Sequence, residues 1–298
     1  MQAYLIDFFE KFSYPTEARD AFLLAYRQIM ASHNAAPRFM ALLESYDKDK
    51  DIDYDAARKE MIELSLKAGV LSFTGEQLLF TCFSRRLRER YREAGIADEI
   101  WYCSMLDLKY KVEECRLMYG VWGTFVAFWY KGFFNMTRFG FGRLQVETKK
   151  FGKTYQSKGV QLMPDSIVLG IHIPRSGEPM TKERIHEAYR MAAAFFKPQL
   201  GDAPIVFHAS TWLFFDKHEE MLKPTSNIYQ LMKEYDIYER GNYADYTEVW
   251  RLFDRFYAGD PNEMPADSSL RRAYIELMKR GEPTGWGKGV LVWDPGEQ

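Results

Sequence analysis

Three cysteines are few for 298 residues, and none belongs to a Cys-x-x-Cys pair. Cys82, Cys103 and Cys115 fall in segments of helical pattern, so neither a disulfide framework nor a zinc site is expected. Long apolar runs are missing as well. The longest stretch without a charge, 117–130, is bounded by Arg116 and Lys131 and is too short to cross a bilayer; a buried core helix is expected there. The first ten residues lack a basic stretch and a cleavage pattern, so no signal peptide is expected and a reducing, cytoplasmic setting is. Neither sign of charge dominates: 40 basic and 42 acidic residues leave a net charge of −2, which argues against a general nucleic-acid binder.

Aromatic side chains, by contrast, are abundant (22 Phe, 19 Tyr, 7 Trp), enough for a sizeable core and too many for a disordered chain. The first half reads as helical. Helices are expected over 4–12, from Pro15 to about 32, over 54–68 behind an Asp53 cap, over 78–94 behind the capping-box spacing Thr74-Gly-Glu-Gln77, and over 98–119. Residues 35–53 read as a polar connection with a short helix inside it. The period then changes to two. In 139–148, Phe141, Arg143, Gln145 and Glu147 alternate with Gly142, Leu144 and Val146. With an extended segment at 158–163, the turn Pro164-Asp165 and a strand at 167–173, this predicts an antiparallel meander. A helix at 181–196, a strand at 205–208, a helix at 219–234, a strand at 248–253 and a last helix at 265–280 complete an α+β arrangement. The division expected is a helical domain, 1–130, followed by a domain of mixed, mainly antiparallel sheet flanked by helices, 131–298.

The most informative stretch is 167–196: a short apolar strand, the turn Pro174-Arg-Ser-Gly-Glu-Pro179, and a helix opening at Thr181. Unpaired N–H groups and a helix dipole converge in such a turn, and Arg175 adds a fork suited to phosphate oxygens. It suits the pyrophosphate of a nucleotide-like cofactor; an ordinary strand–turn–helix connection is the other reading. Arg143, Gln145 and Glu147 would share one strand face, either solvated or lining a cleft in which Glu147 serves as general base. His172 ends the central strand and His208 the next, where ligands gather in open sheets. Ser210 lacks the Gly-x-Ser-x-Gly context of a hydrolase. The basic run 84–92 is interleaved with acids and reads as a solvated helix face. The aromatic run 122–134 is core, a seam or an acyl pocket. Gly285-Trp-Gly-Lys-Gly289 looks like a flexible tail.

Phe141-Gly-Arg-Leu-Gln-Val-Glu147, Ile171-His-Ile-Pro174 with Gly177, and Ser226-Asn-Ile228 follow one another behind a helical half. In that order they resemble bacterial acyltransferase-domain proteins that pair a helical N-acyltransferase domain with a GNAT-like C-terminal domain. The resemblance implies an N-acyltransferase moving an acyl group from acyl-coenzyme A, without a metal, to the amine of a small molecule or peptide. It implies coenzyme contacts from Ile173, Pro174, Arg175, Ser176, Gly177, Thr181 and Asn227, and a general acid at Tyr235. Glu147, His172 and His208 are the candidates to accept the amine's proton, and Arg143, Gln145, Ser210 and Trp212 are expected on the substrate side. The chain departs from the family in three places. The two-glycine pyrophosphate signature is reduced to Arg175-Ser-Gly177, the spacing from Asn227 to Tyr235 is one residue longer than usual, and Ala209 stands where family members tend to have cysteine. These departures keep two alternatives open: a non-catalytic acyl-coenzyme A or ligand-binding protein on the same fold, and a purely structural interaction module.

Overall fold

The computed structural model describes residues 1–157 and 159–294, so Lys158, the start of one expected strand, lies outside the described residues. The chain divides into two compact units: Met1–Gly140 with Pro174–Ser176, and Phe141–Ile173 with Gly177–Gln298.

The first unit is built from α1 (Gln2–Lys11), α2 (Thr16–Ala31), α3 (Ala35–Lys48), α4 (Tyr54–Lys67), α5 (Ser72–Glu93), α6 (Asp98–Tyr119) and the single turn α7 (Lys131–Phe134). Aromatic and aliphatic residues at helical spacing, such as Leu5, Phe8, Phe9 and Phe12, turn one stripe of each helix inward. Each large side chain buried this way contributes roughly 2–3 kcal/mol. Asp53 caps α4 as expected, accepting from the Ala56 N–H at 2.9 Å. Three expectations need correction. Residues 35–48 form a full helix, because Phe39, Leu43 and Tyr46 repeat at helical spacing and are buried. Thr74 lies inside α5, where its hydroxyl donates to the Trp122 carbonyl at 2.8 Å, so no capping box forms. The run 117–130 is no helix: α6 ends before Gly120, whose φ of +70° stops it, and only a 3₁₀ turn, Ala127–Tyr130, follows. The basic run sits on α5 as an ion-paired face, with Arg86 to Glu89 and Glu93, and Arg88 and Arg92 to Asp98.

The second unit contains α8 (Lys182–Leu200), the short α9 (His218–Met221), α10 (Asn227–Glu234), the short α11 (Trp250–Phe253) and α12 (Ser269–Lys279). Its strands are β2 (Leu144–Lys150), β3 (Tyr155–Ser157), β4 (Val160–Leu162), β5 (Ile167–His172), β6 (Ile205–Thr211), β7 (Asp236–Asn242) and β8 (Gly285–Trp293), preceded by β1 (Arg138–Phe141). The main sheet runs β1-β2-β5-β6-β8-β7, with β5 and β6 parallel and the other recorded pairs antiparallel; β3 and β4 make a separate hairpin. This mixed, mainly antiparallel sheet flanked by helices is the fold class expected. One face of the sheet carries Val168, Val206 and Val290 under Phe151, Tyr155, Val160 and Leu162 of the hairpin region. The other face carries Phe207 and Trp293 against Tyr189 of α8, with ring centroids 4.5 and 5.3 Å away.

Several strand expectations change here. Gly142, at φ +52°, and Arg143 turn the chain between β1 and β2, so Phe141 and Arg143 do not share a strand face with Gln145 and Glu147. The hairpin leaves the main sheet, so β2 pairs directly with β5 and no meander forms. The helix expected at 219–234 is broken at Pro224, and α10 restarts behind a Ser226 cap. Residues 248–253 are helical, with Trp250 and Phe253 buried one turn apart. The supposed tail is β8, paired on both sides. Its glycines alternate because aromatic rings fill that face: a Cβ on Gly287 would lie 2.8 Å from Phe214, and one on Gly289 3.0 Å from Phe214 and Tyr235.

Candidate active site

Among the described residues, β5 and β6 pair at Leu169↔Phe207 and Gly170↔His208 and no further. Beyond that point β5 stays with β2 up to Gln145↔His172, while β6 stays with β8 up to Thr211↔Gly287. Each strand follows its antiparallel partner, and the two parallel strands part at their carboxyl ends. Facing edges no longer paired with each other, just before a loop and a helix, are where an open sheet admits a ligand.

The strand bordering this gap carries a charged pair. Gln145 stands opposite His172 and Glu147 opposite Gly170, so Glu147 reaches diagonally across, and the His172 Nε2–H donates to its Oε1 at 2.9 Å. Gln145 is buried, whereas Glu147 and His172 are half-buried. After β5 come Ile173 and the loop. The Ser176 N–H donates to the Pro174 carbonyl at 3.0 Å, and half-buried Arg175 lies between them. Gly177 has φ +76°, a left-handed turn that favours glycine. Arg143 fixes the loop by donating from Nε to the Glu178 carbonyl at 3.1 Å, and Arg184 holds the Glu178 carboxylate at 2.6 Å. Thr181 caps α8, accepting from the Arg184 N–H at 3.4 Å. The Glu183 carboxylate folds back onto its own N–H and Thr181, contacts that hold its pKa below the usual range.

His208 lies on the same sheet face in a different environment. Lys149 donates from Nζ to its Nδ1 at 3.3 Å, so Nε2 carries the proton and donates to the Tyr238 hydroxyl at 2.8 Å. A bulge in β7 between Ile237 and Glu239 turns both Tyr238 and Glu239 toward this face, where Glu239 holds Lys153 and Lys288. Burial first, and then the charges of Lys149, Lys288 and Lys153, push His208 down to about 4. Burial also lowers Lys149, assisted by Lys288 and opposed by Glu147.

The structure therefore gathers Gln145, Glu147, His172 and Ile173 at the end of β5, with Arg143 tied to the loop that follows and His208 one strand away. Ser210 is exposed on β6, opposite Lys288. The remaining candidates sit apart from this group. Tyr235 lies on the opposite sheet face, hydroxyl to hydroxyl with Tyr189 at 2.8 Å. Trp212 packs edge-on against His218 and Tyr274. Asn227 is exposed at the first position of α10. Sequence reasoning passed over Lys149 and Tyr238. Lys149 continues the alternation begun by Gln145 and Glu147, a legible signal; the bulge that aims Tyr238 leaves none. Among the described residues no cluster of His, Cys, Asp and Glu could hold a metal ion, and no helix is long and apolar enough to cross a membrane.

A mixed sheet with parting parallel strands, followed by a loop and a helix, defines a GNAT-like fold. A family model of the GNAT-like C-terminal domain matches residues 139–291, and the chain belongs to that family. A model of the N-acyltransferase N-terminal domain matches residues 3–136. No curated protein matched the chain. Solved structures similar to it include an acyltransferase in complex with decanoyl-CoA and teicoplanin, at 24% identity and a TM-score of 0.76. Another is an acyltransferase in complex with CoA and 10C-teicoplanin, at 22% identity and the same TM-score. Both alignments cover 97% of this chain and 87% of the other, and at these identities they establish the fold.

Proposed function

We propose that the protein is an N-acyltransferase that moves an acyl group from acyl-coenzyme A to an amine of a small-molecule or peptide acceptor. The observation that carries this reading is the gap between β5 and β6 with the Glu147–His172 pair on its border. Strand edges no longer paired with each other suit the amides of an extended thiol cofactor, and the Arg175–Gly177 turn ahead of α8 suits a pyrophosphate. The relatives solved with CoA, decanoyl-CoA and teicoplanin support an acyl donor of this class. The amine attacks the thioester carbonyl, forming the C–N bond; the Glu147–His172 pair takes its proton; the C–S bond breaks and the thiol leaves protonated. We assign this chemistry to residues 131–298. The three free cysteines fit a cytoplasmic setting.

One observation favours the non-catalytic reading on the same fold. Glu183 already occupies part of the α8 N-terminus that a pyrophosphate would use. Calorimetric titration with coenzyme A, acetyl-coenzyme A and decanoyl-coenzyme A, on the wild type and on Arg175→Ala, separates the two when combined with a thiol-release assay over a panel of amines. Micromolar binding weakened by Arg175→Ala, with amine-dependent thiol release, is expected. Binding without release across the panel supports the binding protein, and no binding to any of the three removes both readings.

A further inference from the structure

We propose that Lys149 is a self-acylation site, its ε-amine taking the acyl group of a bound acyl-coenzyme A; this rests on the gap between β5 and β6 holding that cosubstrate. Lys149 stands on β2 opposite Val168, but its stem leans over Gly170: a Cβ there would lie 2.8 Å from Lys149 Cδ. With no side chain in the way, the amine crosses β5 and reaches His208 on β6, at the last paired position before the strands part. Its partner sets it apart from nearby lysines. Lys150 is held by the Asp165 carboxylate, and Lys153 and Lys288 by that of Glu239. Lys149 meets a neutral imidazole instead. Burial lowers the pKa of Lys149, assisted by Lys288 and opposed by Glu147 on its own strand, which eases loss of the ammonium proton before attack.

The step needs no further reactant. The neutral amine attacks the thioester carbonyl carbon, the N–C bond forms and the C–S bond breaks. The proton that the amine then sheds goes to the departing thiolate, which leaves as coenzyme A thiol. The product is a stable amide, so this is a modification and not an intermediate of transfer.

The test incubates the full-length protein with acetyl- or decanoyl-coenzyme A and no amine acceptor, then maps acylated peptides by mass spectrometry. One acyl group per chain on Lys149, suppressed by excess coenzyme A and lost in Lys149→Arg, is expected, with Lys150 unmodified. Gly170→Ala, whose added methyl displaces only a flexible lysine stem, keeps the native circular dichroism and loses most of the adduct. Equal labelling of Lys150 and other exposed lysines overturns the proposal. So does an unmodified Lys149 in protein that binds acyl-coenzyme A by calorimetry, and that outcome leaves the transferase reading standing. Absence of binding removes both together.

Discussion

His172 and His208 lie on neighbouring parallel strands and face the same side of one sheet, yet they meet opposite charges. Glu147 presents a carboxylate to His172, whereas Lys149, two residues further along β2, presents an ammonium to His208. A carboxylate stabilises an imidazolium and an ammonium opposes it, so one histidine is suited to take a proton and the other to remain neutral. Position reinforces the difference. His172 is half-buried beside the gap, while His208 is buried among Phe151, Tyr238 and Lys149. Residue type alone nominated both as bases; their partners separate them.

The largest expected effect tests the acidic member of that comparison. Glu147→Gln keeps the shape but loses the charge that would stabilise a protonated His172, and kcat should fall about 10²- to 10⁴-fold. The Kd for coenzyme A, read by calorimetry, should hardly move. Equal losses in rate and binding would mean that Glu147 serves the coenzyme and not the proton.

The basic member predicts a pH dependence of stability. His208 titrates near 6.5 when unfolded and near 4 in the fold. Between those values the unfolded chain binds the extra proton, so stability rises with pH across the window and is lost as pH falls from about 6.5 towards 4. The full effect is roughly 3 kcal/mol. Urea unfolding at both ends of the window should show this loss in the wild type and a flatter profile in His208→Gln. If the two profiles coincide, His208 is not held neutral by its surroundings and the contrast with His172 collapses.

How far the sequence foretold this arrangement depended on whether a residue's pattern was local. Helices with a buried stripe and a terminal signal, such as α4 behind its Asp53 cap, were legible because both signals lie within or beside the segment. The central unit from β5 to α8 was legible for the same reason, though not the pairing of Glu147 with His172, which lie on strands far apart in the chain. Strand β8 was not, since its glycines at 285, 287 and 289 read as a flexible tail until Phe214, Phe215 and Tyr235 are known to fill the space their side chains would need. Strand β7 was missed too, and its bulge, which brings Tyr238 to His208, has no sequence mark. Nor could the parting of β5 from β6 be read, because it results from two antiparallel partnerships formed far apart in the chain.

The smallest effect concerns the loop that follows His172. An anion arriving at the α8 N-terminus meets Glu183, whose carboxylate already uses its own N–H and Thr181. Removing that carboxylate in Glu183→Ala frees those donors and takes away a like charge, so coenzyme A should bind about two- to fivefold more tightly, the scale of a single charge at a helix end. The gain should shrink as salt is added, since exposed charges are screened. The rate at saturating coenzyme should stay put, because Glu183 belongs to the loop side of the comparison and not to the proposed proton-accepting pair. Unchanged or weaker affinity would show that the pyrophosphate does not settle on this helix end, leaving the Arg175–Gly177 turn to hold it alone.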